Sequence, residues 1–123
     1  MTAVPVAIVL GGRGTLGVAL CAELPRAGWR LAAGLGRAEC DIRDEAALRA
    51  LFDRLRPTAV FNAAAYTDVD RAETEPEIAM AVNGQGAETV ARAAAAAGAA
   101  IVHYSTDFVF DGELERPYDE RDP

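Results

Sequence analysis

Gly11-Gly-Arg-Gly-Thr-Leu-Gly17 follows directly on the apolar run Val6-Ala-Ile-Val-Leu10. The glycines read either as Gly12-x-Gly14-x-x-Gly17 or as Gly11-x-x-Gly14-x-x-Gly17. Either spacing permits a tight turn, brings bare backbone against a pyrophosphate and lets the next helix pack close to the strand. The helix that opens at Thr15 and Leu16 then offers unpaired N–H groups and a partial positive charge to phosphates. Gly-rich turns also join strands to helices without any ligand. The position of this one, after a first buried strand, points to dinucleotide binding.

A second group speaks to the choice of dinucleotide. Sites that prefer NAD carry an acid near the end of the second strand, where it binds the ribose hydroxyls. Here that region reads Ala33-Gly-Leu-Gly-Arg37, with no carboxylate before Glu39. Arg37, together with Arg13, instead suits the extra phosphate of NADP, because guanidinium matches phosphate geometry. NADP is therefore the favoured cofactor, with NAD open; both arginines are equally explained as solvated surface residues. Asp41-Ile42 follows and borders the expected adenine position.

These residues need an alternating scaffold, and the chain has one. Val6–Leu10 reads as a first strand and residues 15–24 as a helix closed by Pro25 and Gly28. Residues 29–33 read as a second strand ending in a flexible Gly34-Leu-Gly36. Asp44 is a good N-cap for Glu45–Leu55, where Ala47, Leu48, Leu51, Phe52 and Leu55 recur at helical spacing. Ala59–Asn62 is a third strand, Pro76 opens one long helix to Gly98, and residues 100–104 form a fourth strand. From Thr106 the chain turns polar and irregular. This alternation implies an α/β, Rossmann-like, doubly wound parallel sheet with helices on both faces. Ligands then bind beyond the carboxyl ends of the strands, at residues 11–17, 34–42, 62–70 and 105–112.

Composition narrows the partners. The 123 residues make one domain, long enough for a core but short for a complete cofactor-plus-substrate enzyme. A net charge of −7 argues against nucleic acid or an anionic membrane as partner. No segment approaches a membrane span, and the stretch from Met1 to Val9 lacks the basic start and long apolar middle of a signal peptide. Cys21 and Cys40 are not a C-x-x-C pair and suit reduced thiols in a cytoplasmic protein. No set of side chains has metal-ligand spacing. All 12 basic residues are Arg, so no lysine is available to a mechanism within this sequence.

Together with the glycines, four strings resemble the dTDP-4-dehydrorhamnose reductase family of extended short-chain dehydrogenase/reductases. They are Cys40-Asp-Ile-Arg-Asp44, Asn62-Ala-Ala-Ala-Tyr-Thr-Asp-Val-Asp70, Ala81-Val-Asn83 and Ser105-Thr-Asp-Phe-Val-Phe-Asp-Gly112. The resemblance implies NAD(P)H-dependent reduction of a dTDP-linked 4-keto-6-deoxysugar, as in deoxysugar biosynthesis, with a homodimer allowed. It implies that Gly11, Gly14 and Gly17 hold the pyrophosphate, and that Asp41 and Ile42 border the adenine. Ala63, Ala64 and Tyr66 would line the nicotinamide side. Thr106 would hydrogen-bond the substrate carbonyl as a catalytic hydroxyl, with Val69, Asp70, Asp107 and Phe108 at the sugar pocket. On their own, Tyr66 also suits a packing aromatic, Thr106 a strand-end turn residue and Asn83 a residue satisfying a helix bend. His103, inside the fourth strand, reads as structural.

Two departures matter. Phe108 stands where the family usually has Tyr, and the family's catalytic Tyr-x-x-x-Lys does not occur. The expectation is therefore a cofactor-binding portion, residues 1–123, that lacks the catalytic pair and substrate domain and is inactive alone. Two other readings stay open: a sugar-nucleotide epimerase or dehydratase of the same superfamily, and a non-catalytic nucleotide-binding regulatory subunit.

Overall fold

The computed structural model describes residues 2–123; Met1, where the stretch read for a signal peptide begins, lies outside the described residues. The elements run β1 (Val6–Leu10), α1 (Thr15–Arg26), β2 (Arg30–Leu35), α2 (Glu45–Leu55), β3 (Ala59–Asn62), α3 (Val69–Thr74), α4 (Pro76–Met80), a π-helical segment (Ala81–Gly86), α5 (Ala87–Ala96), β4 (Ala100–His103) and a short 3-10 turn (Asp107–Val109). The four strands form one all-parallel sheet in the order β2-β1-β3-β4.

Alternation along β1 divides the core into two layers. Ile8 and Leu10 are wholly buried against Leu48 and Phe52 of α2 and Val90, Ala93 and Ala94 of α5. Ala7 and Val9 face the other way, onto Leu20, Cys21 and Leu24 of α1, with Trp29, Leu31 and Phe61. The Trp29 and Phe61 rings meet edge to face at 5.7 Å, which closes the α1 side of β3. The doubly wound sheet with helices on both faces is thus present as expected.

Local signals explain several boundaries. Asp44 caps α2 by accepting from Ala47 N–H at 3.0 Å, and Arg56 ends it in the left-handed conformation at φ 50°. Other expectations need correction. Pro25 does not close α1 but lies within its last turn, before Arg26. β2 runs to Leu35, so Gly34 and Leu35 are strand residues paired with Val9 and Leu10, not a flexible loop. The cause is close packing: a Cβ on Gly34 would sit 2.5 Å from Cys21 Sγ, so the glycine lets α1 approach the strand. Val69 and Asp70, expected at the end of the 62–70 loop, open the helix α3, capped by Asp68 accepting from Arg71 N–H at 3.0 Å. The expected long helix from Pro76 follows one path to Ala96, but residues 81–86 are π-wound.

β1 and β3 lie side by side at the centre, and their connections leave in opposite directions, to β2 and to β4. That divergence opens a crevice at their carboxyl ends, the place where open α/β sheets bind ligands.

Candidate nucleotide site

The floor of the crevice is glycine backbone. Gly11 has φ +73°, and a Cβ there would lie 2.5 Å from the backbone of Ala63 and Ala64. Gly17 is tighter still, since a Cβ would fall 1.9 Å from Gly11 O and lock α1 away from the turn. Gly14 is different. Its nearest neighbour to an added Cβ would be Gly11 O at 3.5 Å, and its φ is an ordinary −77°. Gly11 and Gly17 are therefore required by the fold, whereas a side chain at Gly14 would meet only an ordinary contact. Gly12 packs against the backbone of Gly34 and Leu35. The fold thus supports the Gly11-x-x-Gly14-x-x-Gly17 reading, with Gly12 serving the strand. α1 starts at Thr15 with no side-chain cap and no acidic residue in its first turn, so its amides stay available to an anion.

A cleft of about 190 Å³ opens above this floor. It is lined by Gly11, Arg13 and Gly14 from the first loop, and by Gly36, Arg37, Cys40, Asp41 and Ile42 from the second. Ala63, Ala64 and Ala65 from the third and Val82 from the π-segment complete it. The structure thus gathers Gly11, Gly14, Arg37, Asp41, Ile42, Ala63 and Ala64 into one cavity. Thr15, Leu16 and Gly17 form the helix start beside it. Tyr66, Val69, Asp70, Thr106, Asp107 and Phe108 lie outside its lining.

Charge within the cleft is paired unevenly. Arg43 holds Asp41 in a two-pronged ion pair, with Nη2 at 2.6 Å from Oδ2 and Nε at 3.0 Å from Oδ1. That hydrogen bonding lowers the Asp41 carboxyl to about 2. Arg13 donates to Glu39, which also accepts from Gly36 N–H; the arginine holds the Glu39 carboxyl below its usual range. Arg37 has no hydrogen-bond or ion-pair partner among the described residues. Burial pushes the Cys40 thiol up, so it lines the cleft as a neutral group.

The third loop is pinned at Tyr66. Asn83 Oδ1 accepts from Tyr66 N–H at 2.8 Å, and Asn83 Nδ2 donates to Tyr66 O at 3.0 Å. The π-turn carries Asn83 to this position, so the asparagine serves a loop and not its own helix. The Tyr66 hydroxyl donates to Glu75 Oε2 at 2.7 Å, while Arg71 reaches Glu75 Oε1 at 3.1 Å. The hydrogen bond to a carboxylate raises the phenol above its usual range and keeps it protonated. Neighbouring Asn62 is 1% exposed; its Oδ1 accepts from Ala64 N–H at 3.3 Å and its Nδ2 faces His103 Nδ1 at 3.3 Å. An amide nitrogen only donates, so His103 Nδ1 accepts and the ring proton sits on Nε2. The structural reading of His103 fits that contact.

Thr106 is exposed and its hydroxyl accepts from Phe108 N–H at 3.2 Å, capping the 3-10 turn. Phe108 is 77% exposed. Of the residues at or near the site, sequence reasoning gave no binding role to Gly36, Glu39, Ala65, Val82 and Glu75.

No group of three or more His, Cys, Asp or Glu side chains suited to a metal occurs among the described residues. No helix there is long and apolar enough to cross a membrane. Cys21 and Cys40 are free thiols.

Comparison with known proteins agrees with this layout. Residues 6–123 match the RmlD substrate binding domain family. The dTDP-4-dehydrorhamnose reductase of Streptomyces griseus is 47% identical over 116 residues, covering 94% of this chain and 38% of that protein. Its namesake in Mycobacterium tuberculosis is 41% identical over 119 residues, again covering 94% of this chain and 38% of that protein. The structure of a Bacillus anthracis dTDP-4-dehydrorhamnose reductase in complex with NADP superposes with a TM-score of 0.92 at 33% identity, covering 99% of this chain and 43% of that one. A Thermus thermophilus UDP-glucose 4-epimerase, at 23% identity and a TM-score of 0.68, shares the fold alone. The chain spans about two fifths of the length of the reductases it matches. With its cleft at the β1–β3 crevice and its sequence matched from Val6 to the last residue, the chain belongs to the RmlD substrate binding domain family.

Proposed function

We propose that this chain is the NADP(H)-binding portion of a reductase acting on a dTDP-linked 4-keto-6-deoxysugar, in the manner of dTDP-4-dehydrorhamnose reductase. The observation that carries the reading is the cleft itself. Gly14 lines it where a side chain would meet only Gly11 O, α1 begins at the next residue with no side-chain cap, and Arg37 stands unpaired in the lining. Those donors fit a dinucleotide: two phosphates want backbone N–H groups, and a third phosphate wants a free guanidinium. NADH remains a second cofactor for the same cleft. When bound, the nicotinamide would supply a hydride for a ketone carbon.

The chain's own residues would then have these roles. Gly11, Gly14, Thr15, Leu16 and Gly17 hold the pyrophosphate, and Asp41 and Ile42 edge the adenine. Ala63 and Ala64 keep a smooth wall toward the nicotinamide, with Tyr66 at its outer end. Thr106 would donate its hydroxyl to the substrate oxygen as negative charge develops there, with Val69, Asp70, Asp107 and Phe108 near the sugar. Proton donation needs a tyrosine whose pKa is lowered by a nearby cation. Tyr66 is unsuited, because Glu75 raises its pKa. These 123 residues contain no Tyr-x-x-x-Lys.

The test is a reductase assay. Residues 1–123 alone should leave NADPH unoxidised in the presence of dTDP-4-dehydrorhamnose. A longer protein that continues this chain with Tyr-x-x-x-Lys should oxidise it, and Thr106→Val there should lower kcat by about 10²–10³. Turnover by the 123 residues would place the acid elsewhere and overturn the assignment of roles.

A further inference from the structure

Asn62 and His103 stand opposite each other in register where β3 and β4 end. Asn62 is 1% exposed and pairs in register with Leu10 on its other side. Both ends of its amide are engaged, with Nδ2 facing His103 Nδ1 and Oδ1 accepting from Ala64 N–H, each at 3.3 Å. Among the described residues no buried side-chain nitrogen or oxygen lacks a hydrogen-bond partner. A reversed amide would turn its NH2 group toward the Ala64 N–H, donor against donor, and its oxygen toward the Nδ1 lone pair. Buried as it is, the amide has no water to make good that loss. The peptide it holds is part of the cleft. A Cβ on Gly11 would lie 2.5 Å from both Ala63 C and Ala64 N, so this peptide packs directly on the first turn, and all three residues line the cavity. Ala63 N–H donates to Leu10 O at 2.9 Å, which leaves Ala64 N–H as the donor that Asn62 secures.

We propose that His103 is a positioning residue for the nucleotide cleft: its Nδ1 fixes the Asn62 amide, and Asn62 in turn holds the Ala63–Ala64 wall against Gly11. The inference rests on the dinucleotide reading of the cleft. His103 lies outside the cleft lining and is exposed, so burial does not explain an imidazole at this point of β4. What the contact demands is an acceptor at Nδ1, with the ring proton on Nε2. A side chain of similar bulk without that acceptor leaves the buried Asn62 NH2 unpaired and the amide free to turn. β4 leads directly into Ser105 and Thr106. The same hydrogen bond therefore ties the wall proposed for the nicotinamide to the strand that delivers the hydroxyl proposed for the substrate.

His103→Leu removes the acceptor, and His103→Asn restores one, since the asparagine Oδ1 takes the place of Nδ1. NADPH is titrated calorimetrically into the parent chain and both variants, with folding read from the thermal transition and the wall from Ala64 amide exchange. Long-range proton–nitrogen NMR gives the imidazole tautomer in the parent. The expected results are a proton on Nε2, about a tenfold loss of NADPH affinity with faster Ala64 exchange in the leucine variant, and recovery to within about threefold in the asparagine variant. A proton on Nδ1 at neutral pH would overturn the proposal, and that reading needs no variant should the leucine chain fail to fold. If the parent binds NADPH and the two variants bind it alike, His103 is a packing residue and the dinucleotide reading stands. If the parent binds no NADPH, the dinucleotide reading falls and the positioning role falls with it.

Discussion

At the residue scale, the glycines separate fold from ligand. Gly17→Val drives a side chain into Gly11 O, so it should lower the denaturation midpoint strongly or prevent folding. A second residue-scale prediction concerns Asp41. Its folded pKa of about 2 lies below the ordinary 3.8 because Arg43 pairs with it. A depressed carboxylate adds stability that is present above its unfolded value and is lost as pH falls through the folded value. Arg43→Ala should therefore return the Asp41 titration to the usual carboxylate range, read by carbon-detected NMR between pH 1.5 and 6. An unmoved titration would mean that the ion pair does not hold Asp41 in solution. The Arg13–Glu39 bridge spans 26 residues and Asn83 reaches Tyr66 across 17, which is why neither could be read from spacing. What could be read were features local in sequence: the glycine turn at Gly11 and Gly17, and the side-chain cap at Asp44.

At the element scale, the burial of α2 and the clamp on the third loop make separate predictions. Phe52 is fully buried between the sheet and α5, so Phe52→Ala should cost about 3–5 kcal/mol in urea denaturation. Asn83→Ala removes both hydrogen bonds to Tyr66 and should cost about 1–3 kcal/mol, with faster amide exchange confined to the loop after β3. A global loss of protection instead would mean that Asn83 supports the core. α2 and β3 were legible to the residue, because Leu48, Leu51, Phe52 and Leu55 repeat at helical spacing and a proline separates the two. β2 was misplaced by its Ala-Ala-Gly-Leu end, whose strand character comes from pairing with Val9 and Leu10 and from α1 pressing on Gly34. The π-turn was foreshadowed only by Asn83, read as suited to a helix bend. Its winding shows in the contact of Asn83 with another loop.

At the scale of the whole molecule, strand order converts separate loops into one site. Because β1 and β3 are neighbours whose connections diverge, residues 11–17, 36–42 and 63–65 meet over one crevice. β4 borders the sheet, and the segment beyond it stays outside the cleft, with Thr106, Asp107 and Phe108 exposed. The residues proposed for the cofactor thus line one crevice, while Thr106, Asp107 and Phe108, proposed for the substrate, lie outside its lining. The parallel sheet and the glycine turn were legible because both follow from alternation along the chain. The separation of the two groups was not, since it depends on which loops the strand order brings together. The central claim is that this crevice binds a dinucleotide at Gly14, and calorimetric titration of NADPH into the parent chain and Gly14→Val tests it most directly. One-to-one saturable binding by the parent, and at least a tenfold loss in a variant that melts like the parent, is the predicted result, roughly 1.4 kcal/mol or more. Equal NADPH affinity in a folded Gly14→Val chain would contradict it.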